Sequence, residues 1–233
     1  YSYLGSELEI FSTAVNWKNY IRQLILPYLG ANILEVGAGI GGTTKALYTS
    51  QCESWLCLEP DLNLVQELKQ NLRQAHLQNC QVKGGTTSDL LPEEQFDTIL
   101  YVDVLEHIKS DREELKTAMS HLQVGGHLIV LSPAHQWLFT PFDEAIGHYR
   151  RYTKRTLFAL TPPGLTLKRI IYVDCVGLLA SLANRLLLKS KMPTQSQIKV
   201  WDRTMVPLSE RIDPILRYSL GKSVFGIWSV KEK

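Results

Sequence analysis

A short apolar run, Asn32 to Val36, passes directly into Gly37-Ala38-Gly39-Ile40-Gly41-Gly42. Gly37, Gly39 and Gly42 satisfy a G-x-G-x-x-G spacing. A buried strand that breaks on glycines and opens a helix presents backbone N–H groups to a ligand above the turn, because glycine adopts conformations closed to other residues. Glu59 lies about 20 residues beyond Gly39, where a nucleotide site places a carboxylate for ribose hydroxyls. Such a turn requires strands and helices to alternate around it, so it commits the chain to an α/β fold. By itself it does not separate a dinucleotide from other adenosine ligands.

The rest of the chain alternates as required. Strands are predicted over Asn32–Val36, Trp55–Leu58, Cys80–Lys83, Phe96–Val102, His127–Leu131, Leu165–Tyr172 and Ser223–Val230. Helical spacing covers 9–29, 43–50, 61–74, 111–122, 153–160 and 176–188; 189–198 reads as a polar loop and 200–220 as helical or mixed. Gly125-Gly126 reads as a turn into the fifth strand. The pattern predicts a Rossmann-like, doubly wound, mostly parallel seven-stranded sheet with helices on both faces, its ligand crevice beyond the carboxyl ends of the strands. No linker or repeat divides the chain, so residues 1–233 are expected to form one domain. Its core is expected over about 29–133, with lid segments at about 1–28, 134–152 and 174–220.

The near-balanced charge argues against one broad class without excluding a local basic patch. Lys plus Arg is 25 against 23 for Asp plus Glu, a formal net charge of +2, whereas nucleic-acid binders carry a basic excess. Cys52, Cys57, Cys80 and Cys175 contain no C-x-x-C pair, so no metal site is predicted from cysteine spacing. The opening Tyr1-Ser2-Tyr3 lacks the basic and apolar regions of a signal peptide, and Asp174, Asn184 and Arg185 interrupt the apolar stretch 170–188. A cytoplasmic protein without a transmembrane segment is expected.

Five motifs in order narrow the reading. Glu35 stands two residues before Gly37; a negative group there repels pyrophosphate and suits a cationic ligand. Leu58-Glu59-Pro60-Asp61, Thr86-Thr87-Ser88-Asp89-Leu90, Phe96 to Ile108, and Gly125-Gly126-His127-Leu128-Ile129-Val130 follow. Together they resemble class I S-adenosylmethionine (SAM)-dependent methyltransferases, tightly over about 29–133. The resemblance implies that Glu35, Gly37, Ala38 and Gly39 line the methionine part of SAM, that Glu59 takes the ribose hydroxyls, and that Pro60 belongs to the same cofactor site. It further implies that Asp89 faces the adenine amino group, that Thr87 gives backbone contacts, and that Asp103 supports the methionine end. A solvated acid or helix cap remains the alternative for Asp89, and a helix cap for Asp103.

The segment Ala134 to Tyr152 follows the fifth strand and resembles a subset of bacterial small-molecule methyltransferases carrying Gly-His-x-Arg-Arg-Tyr. Methyl transfer needs a base only where the acceptor must lose a proton. His148, then His135 and His107, are the candidates, each with a packing role as its alternative. Arg150 and Arg151 suit a substrate carboxylate or phosphate, or else pair with Asp143 and Glu144. Trp137, Phe142, Tyr149 and Tyr152 suit either an apolar acceptor pocket or the segment's own core. O- or N-methylation of a small molecule is expected. An NAD-type oxidoreductase is the alternative on the glycine spacing alone, but no nicotinamide-side Tyr/Lys set follows the fourth strand. RNA or protein methylation is another, lowered by the absence of an Asn/Asp-Pro-Pro-Tyr-like motif.

Overall fold

A computed structural model describes residues 7–183 and 194–231. Its seven strands are β1 Asn32–Val36, β2 Ser54–Glu59, β3 Cys80–Gly84, β4 Phe96–Val102, β5 Leu122–Pro133, β6 Leu165–Val173 and β7 Ser223–Val230, in the order β3-β2-β1-β4-β5-β7-β6. All pairings are parallel except those of β7, which runs antiparallel to both β5 and β6. The order reverses between β1 and β4, so their carboxyl ends open the crevice of a doubly wound sheet.

Neighbouring residues of the central strands feed opposite faces. Ile33, Leu100 and Ile129 enter one core cluster, which includes Trp55 and Phe225. Leu34, Ile99, Tyr101, Leu128 and Val130 enter the other, which includes Trp228. Burial on both sides explains why these strands read as continuous apolar runs.

Helices α1 Glu7–Ser12, α2 Val15–Ile25, α3 Gly42–Leu47, α4 Leu62–Gln74 and α5 Asp111–Ser120 flank the sheet. Asp61 caps α4, its Oδ1 accepting from Asn63 N at 2.7 Å. Beyond β5 come α6 Pro141–Ala145, α7 Lys154–Phe158, α8 Cys175–Ala183, α9 Gln195–Val200 and α10 Val206–Ile215, the last two joined by a π-helical turn, Trp201–Met205.

Several boundaries differ from expectation. The helical pattern over 9–29 breaks at Thr13-Ala14 into α1 and α2, because the Asp202 carboxylate caps α2 from Trp17 N (2.9 Å) and Asn16 N (3.3 Å). Gly125-Gly126 lies within β5, not at its start. A side chain at Gly126 would meet Asp97 O at 2.8 Å, so glycine lets β5 pass there. The polar loop expected over 189–198 is helical from Gln195, where the Thr194 hydroxyl caps α9; its first part, and the end of the helix expected over 176–188, fall outside the described residues.

Candidate active site

The turn after β1 is held in a conformation that needs its glycines. Gly37, Gly39 and Gly41 have φ of 67°, 54° and 83°. A Cβ on Gly37 would lie 2.7 Å from the Val104 side chain, on the loop after β4. The N–H groups of Gly37 and Ala38 both donate to Leu58 O, at 2.7 and 3.1 Å.

The two expected acids do different work. Glu59, at the end of β2, is 4% exposed; its Oε2 accepts from Gly39 N at 2.9 Å and its Oε1 from Asp61 N at 3.0 Å. Burial raises its carboxyl above the usual range, against the pull of those two bonds. Glu35 lies beneath the turn, 2% exposed, and its Oε2 accepts from Thr44 Oγ1 at 2.6 Å and Trp55 Nε1 at 2.9 Å. Burial pushes its carboxyl up to about 7. Sequence reasoning expected Glu35 to line the ligand directly; here its bonds tie the start of α3 to β2.

Next to Glu59, an open concavity of about 620 Å³ is lined by Pro60, Asp61, Leu62, Gly85 and Asp89. Asp89 is exposed and closes its own turn, accepting from Thr86 N at 2.8 Å and Thr86 Oγ1 at 3.0 Å. Thr87 is buried, with its hydroxyl on Glu114 Oε1 at 2.9 Å.

Left-handed, non-glycine residues end three successive strands of the crevice edge. Asp103 follows β4, His135 follows the end of β5, and Asp174 follows β6, with φ of 54°, 66° and 65°. Such strain concentrates at functional sites. Asp103 is open to solvent, yet protein crowds it enough to push its carboxyl up to about 6, against the opposing charges of His148 and Lys222. Asp174 is fully buried and accepts from Trp201 Nε1 (2.7 Å), Ser209 Oγ (2.6 Å) and Gly177 N (3.0 Å). Lys222 Nζ, just before β7, is 3.4 Å from Asp174 Oδ2 and 3.7 Å from the centre of the Trp201 ring. His135 Nε2 is 3.0 Å from Gly221 O, and its ring lies against Tyr172 at a 4.7 Å centroid distance.

The segment Ala134–Tyr152 closes at its base: His135 N donates to Tyr152 O (2.7 Å) and Tyr152 N to Pro133 O (2.9 Å). Its centre is Asp143, wholly buried. Asp143 Oδ1 accepts from His148 Nδ1 (2.9 Å) and Arg151 Nε (2.7 Å); Oδ2 accepts from Arg151 Nη2 (2.9 Å) and from Thr140 N and Oγ1 (both 2.9 Å). Against the upward push of burial, the His148 and Arg151 bonds hold this carboxyl far below the usual range. Arg150 pairs with Asp111 Oδ2 at 2.6 Å and reaches Lys109 O at 2.8 Å.

Both arginines therefore take the pairing alternative, although Arg150 finds Asp111 in place of Glu144. Tyr152 is a correction as a pocket wall: it is 2% exposed, its hydroxyl donating to Asp111 Oδ2 at 2.8 Å. Trp137 and Tyr149 are exposed and Phe142 half-buried.

His107 and His148 meet edge to face, ring centroids 4.5 Å apart. Burial, then the neighbouring His148, pulls His107 down to about 4, so its ring is neutral at ordinary pH. Beneath them is Glu106, with no exposure; burial pushes its carboxyl well above the usual range, and the charge of Asp103 adds to this. Sequence reasoning passed over Glu106, Asp174 and Lys222. The signal for Glu106 was an acid inside the apolar run Val102 to Ile108; Lys222 carried none.

The sequence model of the methyltransferase domain family matches residues 16–164, well over half the chain. The chain belongs to the methyltransferase domain family. This sets aside the oxidoreductase alternative. The methyltransferase fold is also that of N-methyltransferase NodS from Bradyrhizobium japonicum WM9, solved with S-adenosylhomocysteine: 14% identity, TM-score 0.60, covering 94% of this chain and 88% of that one. Coclaurine N-methyltransferase, bound to N-methylheliamine and S-adenosylhomocysteine, gives 13% identity, TM-score 0.62 and coverage of 91% and 72%. A 4+2 cyclase, SpnF, gives 14% identity, TM-score 0.64 and coverage of 92% and 82%. At such identities the likeness speaks for the fold alone, and a cyclase on that fold shows why the acceptor is not read from it. No curated protein matches this methyltransferase sequence. No helix among the described residues is long and apolar enough to cross a membrane.

Proposed function

We propose that the protein is a SAM-dependent methyltransferase acting on an oxygen or nitrogen of a small molecule. The observation that carries this is Glu59, a buried carboxylate pinned by Gly39 N and Asp61 N at the mouth of a left-handed glycine turn. Each of its oxygens keeps a lone pair beyond the one bond described, which suits the vicinal hydroxyls of a ribose. Three acids, Glu59, Asp61 and Asp103, flank the turn, and this favours a cationic ligand over a pyrophosphate. The S-adenosylhomocysteine in two structures of the same fold agrees with that choice.

On this reading Gly37, Ala38 and Gly39, supported from below by Glu35, hold the methionine end, and Asp103 faces its ammonium. Pro60 and Asp89, which line the concavity beside β3, border the adenine, with Thr87 buried behind them. When bound, SAM supplies a methyl group activated by its sulfonium. The protein's work is to align the acceptor and exclude water. Residues 29–133 form the binding core, and the described parts of 1–28, 134–152 and 174–220 form the lid; the Leu8 side chain, 3.5 Å from where a Cβ on Gly39 would be, supports that role.

Trp137, Phe142 and Tyr149 wall the acceptor side, braced by Arg150, Arg151 and Tyr152. We assign acceptor activation to the buried cluster of Asp143, His148, His107 and Glu106, with His135 across the crevice. The near-balanced charge supports a small acceptor over nucleic acid, and four free cysteines fit a reducing compartment such as the cytoplasm.

Isothermal titration with SAM and with NAD tests the reading. One SAM per chain, with micromolar affinity and no heat from NAD, is expected. NAD binding without SAM binding overturns it.

A further inference from the structure

The loop after β4 and the segment after β5 bring three metal-ligand side chains together. One carboxylate oxygen of Glu106 and one ring nitrogen each of His107 and His148 lie within 4.8 Å of one another. His148 Nε2 is 3.8 Å from Glu106 Oε1. Atoms bound tetrahedrally to one zinc-like ion at about 2.0–2.2 Å lie about 3.3–3.6 Å apart. The His148–Glu106 gap is a few tenths of an ångström beyond that, and side-chain shifts of about 1 Å bring the wider gaps into range.

Two further observations point to a ligand. Glu106 has no solvent exposure, and neither carboxylate oxygen has a hydrogen-bond partner in good geometry; Ser132 Oγ approaches without completing a bond. A buried carboxylate left so must be neutral or matched by a cation, because desolvation without a partner is costly. The second observation concerns His148. Asp143 accepts from His148 Nδ1 and is itself gripped by Arg151 through two bonds. An ionised acceptor at Nδ1 places the proton there and leaves the lone pair on Nε2, the atom facing Glu106. A carboxylate holding the far nitrogen of an imidazole is the usual outer support of a metal-binding histidine.

We propose that Glu106, His107 and His148 bind a divalent transition-metal ion beside the methyl-donor crevice, with Asp143 and Arg151 as positioning residues. Two imidazoles and one carboxylate suit zinc and its neighbours, and three protein ligands leave a coordination position open. The ion would bind an acceptor hydroxyl oxygen there and lower its pKa, so that the proton leaves to solvent and a remaining lone pair of the oxygen faces the donor's methyl group. That role rests on the methyltransferase reading above; the binding of the ion does not. With the ion in place, His148 is a ligand and not a free base.

Full-length protein stripped with a chelator is titrated with Co2+, then with competing Zn2+. Visible d–d bands saturating at one equivalent and abolished by Zn2+ are expected. Glu106→Gln and His148→Asn should each weaken Co2+ binding at least tenfold, and Asp143→Asn by about 10- to 100-fold, the range for outer-shell partners. His76→Asn, at an exposed histidine after α4, should leave it unchanged. Circular dichroism melts report whether each variant is folded. No stoichiometric Co2+ signal in the wild type, or a signal indifferent to both Glu106→Gln and His148→Asn, overturns the proposal; the latter result identifies adventitious binding only. SAM titrated into the stripped protein separates the two readings. Co2+ bands without SAM binding sink the methyltransferase reading alone, and SAM binding without Co2+ bands sinks the metal site alone.

Discussion

Trp55 Nε1 donates to Glu35 Oε2 at 2.9 Å, so a buried indole on the neighbouring strand β2 holds the acid beneath the glycine turn. Thr44 of α3 donates to the same oxygen at 2.6 Å. The strand, the turn and the helix that carry the candidate ligand site thus share one buried carboxyl group.

That group makes stability depend on pH. Burial, the largest influence, raises the Glu35 carboxyl from 4.5 to about 7 against the Thr44 and Trp55 bonds. The folded protein keeps a proton that the unfolded chain releases, so stability falls as pH rises from about 4.5 to 7, by about 3 kcal/mol in all. Glu35→Gln keeps an oxygen acceptor and removes the titration. Its Tm relative to wild type should climb across that window; an unchanged difference between about pH 4.5 and 8 refutes the assignment.

Gly37→Ala tests the turn. The new methyl group meets Val104 at 2.7 Å and sits on a backbone with φ of 67°. A loss of about 1–3 kcal/mol in denaturant unfolding is expected, together with weaker SAM binding. Wild-type stability would show that the turn relaxes without cost.

Glu59→Ala removes the acceptor of Gly39 N and Asp61 N. SAM affinity, read by calorimetry, should drop by roughly 10- to 100-fold, as for a charge-assisted hydrogen bond of about 1.5–3 kcal/mol. Glu59→Gln, which retains one acceptor oxygen, should lose less. Unaltered affinity in both variants would take Glu59 out of the ribose role.

Arg151→Ala leaves Asp143 buried and short of its two guanidinium bonds. Removing one partner of such a pair costs about 3–5 kcal/mol. Arg151→Lys should recover only part, because an ammonium does not reproduce the fork. Chemical denaturation measures both; a loss under about 1 kcal/mol for the alanine variant would mean Asp143 finds other partners.

Asp202→Ala uncaps α2, freeing Trp17 N and Asn16 N. A cost of about 1–2 kcal/mol is expected. Hydrogen exchange should quicken in the first turn of α2 and leave β1 unaffected; equal protection in both proteins would rule out the cap.

Much of the architecture was legible in sequence because it follows from local pattern. The runs Asn32–Val36 and Phe96–Val102 are strands to the residue, since burial on both faces demands continuous apolar chain. The α1–α2 break was not legible, because the carboxylate responsible belongs to Asp202, far along the chain. The candidate site divides in the same way. Gly37, Gly39 and Glu59 were readable from spacing, whereas the binding of Arg151 by Asp143 was one of two open alternatives.

The order of strands and helices, the glycine turn and the acids at strand ends were set by the amino-acid sequence alone, through short-range periodicity and backbone sterics. Folding in three dimensions set the company each polar group keeps. It put Asp111 on Arg150 and Tyr152, turned Nε2 of His148 toward Glu106, and carried Lys222 across to Asp174. Hydrogen bonding and desolvation depend on which groups become neighbours and how much water they lose, and residues distant in the chain become neighbours only once the sheet is assembled.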